Sequence, residues 1–154
     1  MRFLLTVRER AAMLLTQPIP LAERFEKLRT LATEAQKELT GEVVTLGSLS
    51  PEIFEKLEYI EQSNREKIIQ AAKAEPDLSH NEAELTRLGL YWLYRYLLSA
   101  IDSYDITAPI RFLIDSVGIV GNMAQKSGDI IAAAQTYSKE IEQSYENTDM
   151  LIRN

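Results

Sequence analysis

Leu88-Gly89-Leu90-Tyr91-Trp92-Leu93-Tyr94-Arg95-Tyr96-Leu97-Leu98-Ser99-Ala100-Ile101 is the most apolar stretch of the chain, and Arg95 is its only charge. It is shorter than the ~18 apolar residues a membrane span requires. Over 88–98 apolar side chains occupy nearly the whole helical wheel, the pattern of a helix surrounded by neighbours. Just upstream stands Ser79-His80-Asn81-Glu82, a capping-box pattern. Together they predict one long helix over about 80–105, central and the most buried of the fold.

Outward from that stretch, Pro18, Pro20, Pro51, Pro76 and Pro109 all fall between periodic segments, and Gly41, Gly47 and Gly128 add further breaks. The periodicity predicts a helix over about 2–17, with Leu4, Val7, Ala11 and Leu14 on one face. A second, over 20–39, carries Leu21, Phe25, Leu28, Ala32, Ala35 and Leu39 at alternating four- and three-residue steps, a coiled-coil-like seam. Residues 41–50 form the one real loop; its Val43, Val44, Leu46 and Leu49 either lie on the core or make a short extended piece. Ser50-Pro51 opens a third helix, which carries Ile53, Leu57, Ile60, Ile68 and Ala71 and ends before Pro76. Beyond the central helix, 109–126 shows an apolar stripe (Leu113, Val117, Val120, Ala124) and a polar one (Arg111, Asp115, Gly118, Asn122). The last helix, 129–147, buries Ile130, Ala133, Ala134, Tyr137 and Ile141. No segment reads as a strand. The expected fold is all-α in a single domain, 1–154: six helices in an antiparallel bundle or a short α–α superhelical array.

Composition narrows the function. The 154 residues hold 17 Lys and Arg against 23 Asp and Glu, a net charge of −6, and no cysteine. Disulfide and thiolate chemistry are excluded, and the usage fits a reducing compartment, so the expected location is cytoplasmic. An acidic balance opposes nucleic-acid binding, and no segment suits a membrane. At the N-terminus, Phe3-Leu4-Leu5-Thr6-Val7 is cut off by Arg8-Glu9-Arg10, which rules out a secretory h-region. An Arg-rich transit segment and an ordinary first helix both fit there, the latter better.

Catalytic constellations are sparse. The single histidine, His80, sits in a predicted cap with no nucleophile beside it in sequence. Glu52, Glu55, Glu58 and Glu61 make an i, i+3 ladder able to hold a divalent cation, or simply a solvated face beside the positive end of a helix dipole. Gly118-x-x-Gly121 lies inside a helix and is no phosphate loop. No cofactor or metal is expected.

Helix 80–105 offers the more specific candidates. Tyr91, Arg95 and Asp102 share a narrow arc, and Tyr96 adjoins Arg95. An arginine in an apolar run needs a carboxylate or an anionic ligand, so Tyr91, Arg95, Tyr96 and Asp102 form a candidate pocket for an acidic group. On the alternative reading the arc is a solvent edge from which Arg95 snorkels. Phe25 and Leu28 on the second helix, with Trp92 and Tyr94, are candidate interface residues.

One resemblance adds to this. Gly121, the Gly128-Asp129 turn, Ala133 and Tyr137 stand at the spacing of small residues and an aromatic in a close helical hairpin. Over about 114–147 the chain resembles one tetratricopeptide repeat. It departs from that pattern at Val117, Ala124 and Glu140, and no second copy lies 34 residues upstream. The resemblance implies a protein-binding hairpin. The expectation is a non-catalytic helical adaptor or regulator acting through a protein partner or a homo-oligomer; the alternative is a sensor or enzyme with its pocket at Arg95.

Overall fold

The computed structural model describes residues 1–153; position 154 of the expected domain lies outside the described residues. All regular structure among them is helical. There are eight α-helices rather than six: α1 (Arg2–Leu15), α2 (Leu21–Thr40), α3 (Gln62–Lys73), α4 (Glu82–Tyr96), α5 (Ala100–Ser103), α6 (Thr107–Ser127), α7 (Ile130–Tyr137) and α8 (Tyr145–Arg153). Two 3₁₀ turns (Pro51–Lys56, Leu97–Ser99) and one π turn (Ser138–Glu142) complete the set. The buried apolar residues, Ala108 apart, form one connected cluster.

α1 and α2 stand where periodicity places them. α1 buries Leu4, Val7 and Ala11 as expected, with Leu15 taking the place of Leu14. α2 buries Leu21, Phe25, Leu28, Ala32 and Ala35 and stops at Gly41, whose φ of 80° few other residues adopt. Buried Arg24 of α2 donates to the carbonyls of Leu15 (2.5 Å), left over at the end of α1, and of Ile19 (2.9 Å) in the connection.

The helix expected over 51–75 is broken. A 3₁₀ turn over Pro51–Lys56 gives way to extended backbone at Leu57, and α3 begins only at Gln62. The cause is a set of side-chain acceptors that displaces helical carbonyls. The Glu140 carboxylate accepts the N–H groups of Ile60 (2.6 Å) and Glu61 (3.2 Å), and Asn147 Oδ1 accepts that of Glu58 (2.9 Å). Glu140 thus stabilises the start of α3 from across the fold.

The helix expected over 80–105 is also shorter, and Ser79 does not cap it. Its hydroxyl donates to Asp77 instead (2.6 Å), and α4 starts after Asn81, which holds a left-handed φ of 57°. The glutamate of the expected capping box, Glu82, accepts the Leu21 N–H at 2.6 Å, so it caps α2 rather than its own helix. It also pairs with Arg24 at 3.6 Å.

The centre of the fold is α6, not the helix at 80–105. α6 packs against α2, α3, α4, α7 and α8, and it buries residues on every side. α4 buries Leu85, Gly89, Trp92 and Leu93 and leaves Tyr91, Tyr94 and Arg95 in solvent. Two features of α6 explain the difference. Gly118 and Gly121 admit Pro76 and Leu85 so closely that an added Cβ would lie 3.4 and 3.3 Å from them. Its polar stripe is not a solvent face either: Asp115 accepts the Leu49 N–H (2.8 Å), and Asn122 donates to the Ala71 carbonyl (3.0 Å) and accepts from Asp77 N–H (3.3 Å). The stripe pins loop 41–50 and the α3–α4 connection.

Gly89 differs from those two glycines. A Cβ there would meet Val117 Cγ2 at 3.7 Å and Leu113 Cδ1 at 3.9 Å, ordinary contact distances. Gly89→Ala is therefore expected to stabilise the protein by about 0.5–1 kcal/mol through helix propensity. A rise in urea midpoint at unchanged m-value checks it.

The helix expected over 129–147 is interrupted by the π turn, with a Gln143 N–H to Ser138 carbonyl bond of 2.9 Å. α8 supplies what the wide turn leaves open. Asn147 donates to the Glu140 carbonyl (2.9 Å) and Thr148 to that of Ile141 (3.0 Å).

Candidate functional site: the outer face of α7

Gly128 ends α6 at φ 76°, and the Asp129 carboxylate accepts the Ala132 N–H at 3.0 Å to start α7. The resulting helix, Ile130-Ile131-Ala132-Ala133-Ala134-Gln135-Thr136-Tyr137, carries no charge. It buries only Ala133 and Tyr137 against the core. Ile131 is 66% exposed. A short uncharged helix with an uncovered isoleucine runs against the usual patterning of a solvent-facing helix.

Two depressions flank α7. On one side lies a trough of about 490 Å³. Its walls are Ala71 and Ala74 from α3 and its end, and Ala132 and Ala133 from α7; Met123 of α6 contributes between them. Lys67 and Lys126 also line it, and no carboxylate does. Lys126 Nζ donates to Gln70, a neutral neighbour. On the other side, α4 and α7 form a shallower groove of about 390 Å³ between Leu88, Tyr91, Ile130, Ile131 and Ala134, with Glu84 and Arg87 beside it. α7 is thus an apolar ridge between two apolar hollows.

Next to this groove the structure brings together three of the four expected ligand residues. Arg95 donates from Nη1 to Tyr91 Oη (2.9 Å) and from Nε to Tyr96 Oη (3.1 Å), and its guanidinium lies over both rings. Burial, reinforced by the Glu142 charge, holds the Tyr96 hydroxyl above its ordinary pKa. Asp102 is exposed on α5 and takes no part. The carboxylate that Arg95 does find is Glu142, at 3.3 Å from its Nε. Glu142 comes from the π turn, 47 positions along the chain, and no spacing rule points to it. The same holds for Glu140 and Asn147, whose burial only the folded topology creates.

The other expected sites fare differently. Phe25, Leu28 and Trp92 lie within the chain's own core, each at most 2% exposed. Their seam faces neighbouring helices of the same chain. Tyr94 is half exposed, with the Arg8 guanidinium 4.7 Å above its ring. The ladder Glu52, Glu55, Glu58, Glu61 shares no helical face, because extended backbone divides it. Glu55 pairs instead with Lys73 (3.0 Å) and Glu61 with Lys139 (2.8 Å). His80 Nδ1 lies 3.1 Å from Ser79 Oγ, beside Asp77. That trio has the residue types of a hydrolytic triad but the wrong wiring. Ser79 donates to Asp77, so the carboxylate does not orient the imidazole behind a nucleophile. The bonds from Ser79 and Gln125 hold the Asp77 carboxyl down at about 2, as expected of a tight exposed turn.

No helix among the described residues is long and apolar enough to cross a membrane. Compared with protein-family models, with curated protein sequences and with solved structures, the chain matches none, so family membership does not follow from similarity.

Proposed function

We propose that the chain is a helical adaptor or regulator that seats a protein partner across the outer face of α7. The carrying observation is the exposed Ile131 on an uncharged helix flanked by two apolar hollows. Large apolar groups left in water on one ridge, with polar rims beside them, are the usual form of a docking surface. The tetratricopeptide-like residues of the α6–α7 hairpin support the same reading. Such hairpins bury their second face only against a further stacked element, and α7 is an edge that awaits one. On this reading the helices form a short α–α array with one open side. The cysteine-free, acidic composition suits a cytoplasmic setting. A ligand pocket at Arg95 is less favoured, because Tyr91, Tyr96 and Glu142 already occupy its Nε and Nη1.

The test is a photo-crosslinkable residue placed at position 131 and, as a control, at exposed Glu38 on α2. Adducts should form at 131 and not at 38. The partner so identified, purified, should bind Ile131→Asp at least tenfold more weakly than wild type, with thermal stability unchanged because Ile131 is exposed. Equal adducts at both positions would count against the proposal. Adducts of twice the chain mass, with sedimentation as a dimer, would favour self-association over a separate partner.

A further inference from the structure

We infer that the α3–α6–α7 trough receives an acidic amphipathic helix of the partner protein, an inference that rests on the protein-binding reading above and names the class of partner. Charge is the first argument. The chain carries six more acids than bases, yet this trough holds two lysines and no acid. Three other hollows each mix glutamate with bases: Glu26 and Glu34 with Arg10 and Lys27 between α1 and α2, Glu84 with Arg87 beside α4, and Glu52 with Lys56 and Arg111 near loop 41–50. Neighbouring lysines are already neutralised, Lys73 by Glu55 and Lys139 by Glu61. Lys67 and Lys126 have no such carboxylate among the described residues, and Lys126 rests on the neutral Gln70. The trough is therefore a local positive site on an acidic molecule, suited to a negative visitor.

Shape supplies the second argument. Two helices form the walls and α6 lies between them, so a further helix can pack as a ridge into a ready groove. The walls carry four alanine methyls beside Gln70, Ser127 and Thr136, and the alanines let a helix backbone approach closely. Apolar anchors at i, i+3 or i+4, and i+7 would enter the trough, and acids beside them would meet Lys67 and Lys126.

The experiment is selection from a displayed library of randomised helical peptides against the full chain. Enriched peptides should carry an apolar stripe at helical spacing flanked by Asp or Glu. Synthetic copies, followed by fluorescence anisotropy, should bind at least tenfold more weakly to Lys67→Glu/Lys126→Glu and to Ala132→Trp, which fills the trough from an exposed position. Exchanging the peptide's acids for lysine should restore binding to the charge-reversed protein, a rescue that misfolding could not produce. Peptides that depend on Ile131 but ignore Lys67, Lys126 and Ala132 would overturn this inference and leave the protein-binding reading standing. Basic or uncharged winners would overturn it in the same way. Recovery of no peptide would overturn this inference, while the protein-binding reading is decided separately by crosslinking at position 131. Palmitate bound at the trough without any peptide winner would assign the site to a lipid and also overturn the inference.

Discussion

Glu140→Ala is expected to lower stability by about 3–5 kcal/mol, roughly a 10 °C fall in Tm for a chain of this size. Glu140 is 1% exposed and accepts three hydrogen bonds: from Ile60 N–H, Glu61 N–H and Asn64 Nδ2 (2.8 Å). Truncation removes the acceptor of three donors at once, the Asn64 amide in the interior and the part-buried N–H groups of Ile60 and Glu61. Urea unfolding followed by circular dichroism measures the loss, and a change below 1 kcal/mol would show that the carboxylate is not the clamp described. Glu140→Gln keeps one acceptor oxygen and should lose less. The pH dependence has a definite sign. Burial pushes the Glu140 carboxyl up, but bonds from Ile60, Asn64 and Glu61 and the nearby Lys139 charge outweigh it, and the net shift is downward from 4.5. The folded state thus binds this proton less readily than the unfolded chain. The contribution is complete above the unfolded value and is lost as pH falls through the lower folded value. The gap between wild type and Glu140→Gln should therefore narrow only below about pH 4.5.

Trp92→Ala should cost about 3–5 kcal/mol, by a different mechanism. Trp92 is 1% exposed and meets Phe112 and Tyr137 edge-on, with ring centroids 5.8 and 5.7 Å apart. Its removal opens a cavity between α4, α6 and α7 that these rigid rings cannot close. Trp92→Phe should lose less than half as much, because it keeps an aromatic ring and removes the buried indole N–H, which has no acceptor. As the only tryptophan, Trp92 also reports on itself. Wild-type emission should be strongly blue-shifted and move to the red in a single step on unfolding. Emission at the wavelength of exposed indole in the native protein would contradict the packing described.

Helical identity was legible wherever a residue's partners lie one turn away. The faces of α1 and α2 and the Gly128-Asp129 turn follow from spacing and capping chemistry that act locally. Legibility failed where a distant side chain outcompetes a local carbonyl. Nothing near residues 57–61 in sequence announces that Glu140 and Asn147 will take their N–H groups. Similarly, Ser79-x-x-Glu82 has the letters of a capping box, yet Glu82 finds α2 more accessible than its own N-terminus. Polarity alone did not place the stripe of α6, where Asp115 and Asn122 hold loops rather than facing solvent. It misled at α4, where tyrosines count as apolar although their hydroxyls reach water. Of the candidate pocket, the contacts between Arg95 and its two tyrosines follow from proximity along one helix. The Glu142 partner does not.

The wide turn over Ser138–Glu142 sends Glu140 to the start of α3 and the nearly buried Glu142 to the exposed Arg95, beside the ridge on which a partner would sit. Two amide protons, those of Ile60 and Glu61, are sheltered by a carboxylate on this turn. Their deuterium uptake is consequently a clock for its opening, set about 80 positions away in sequence from the element it times.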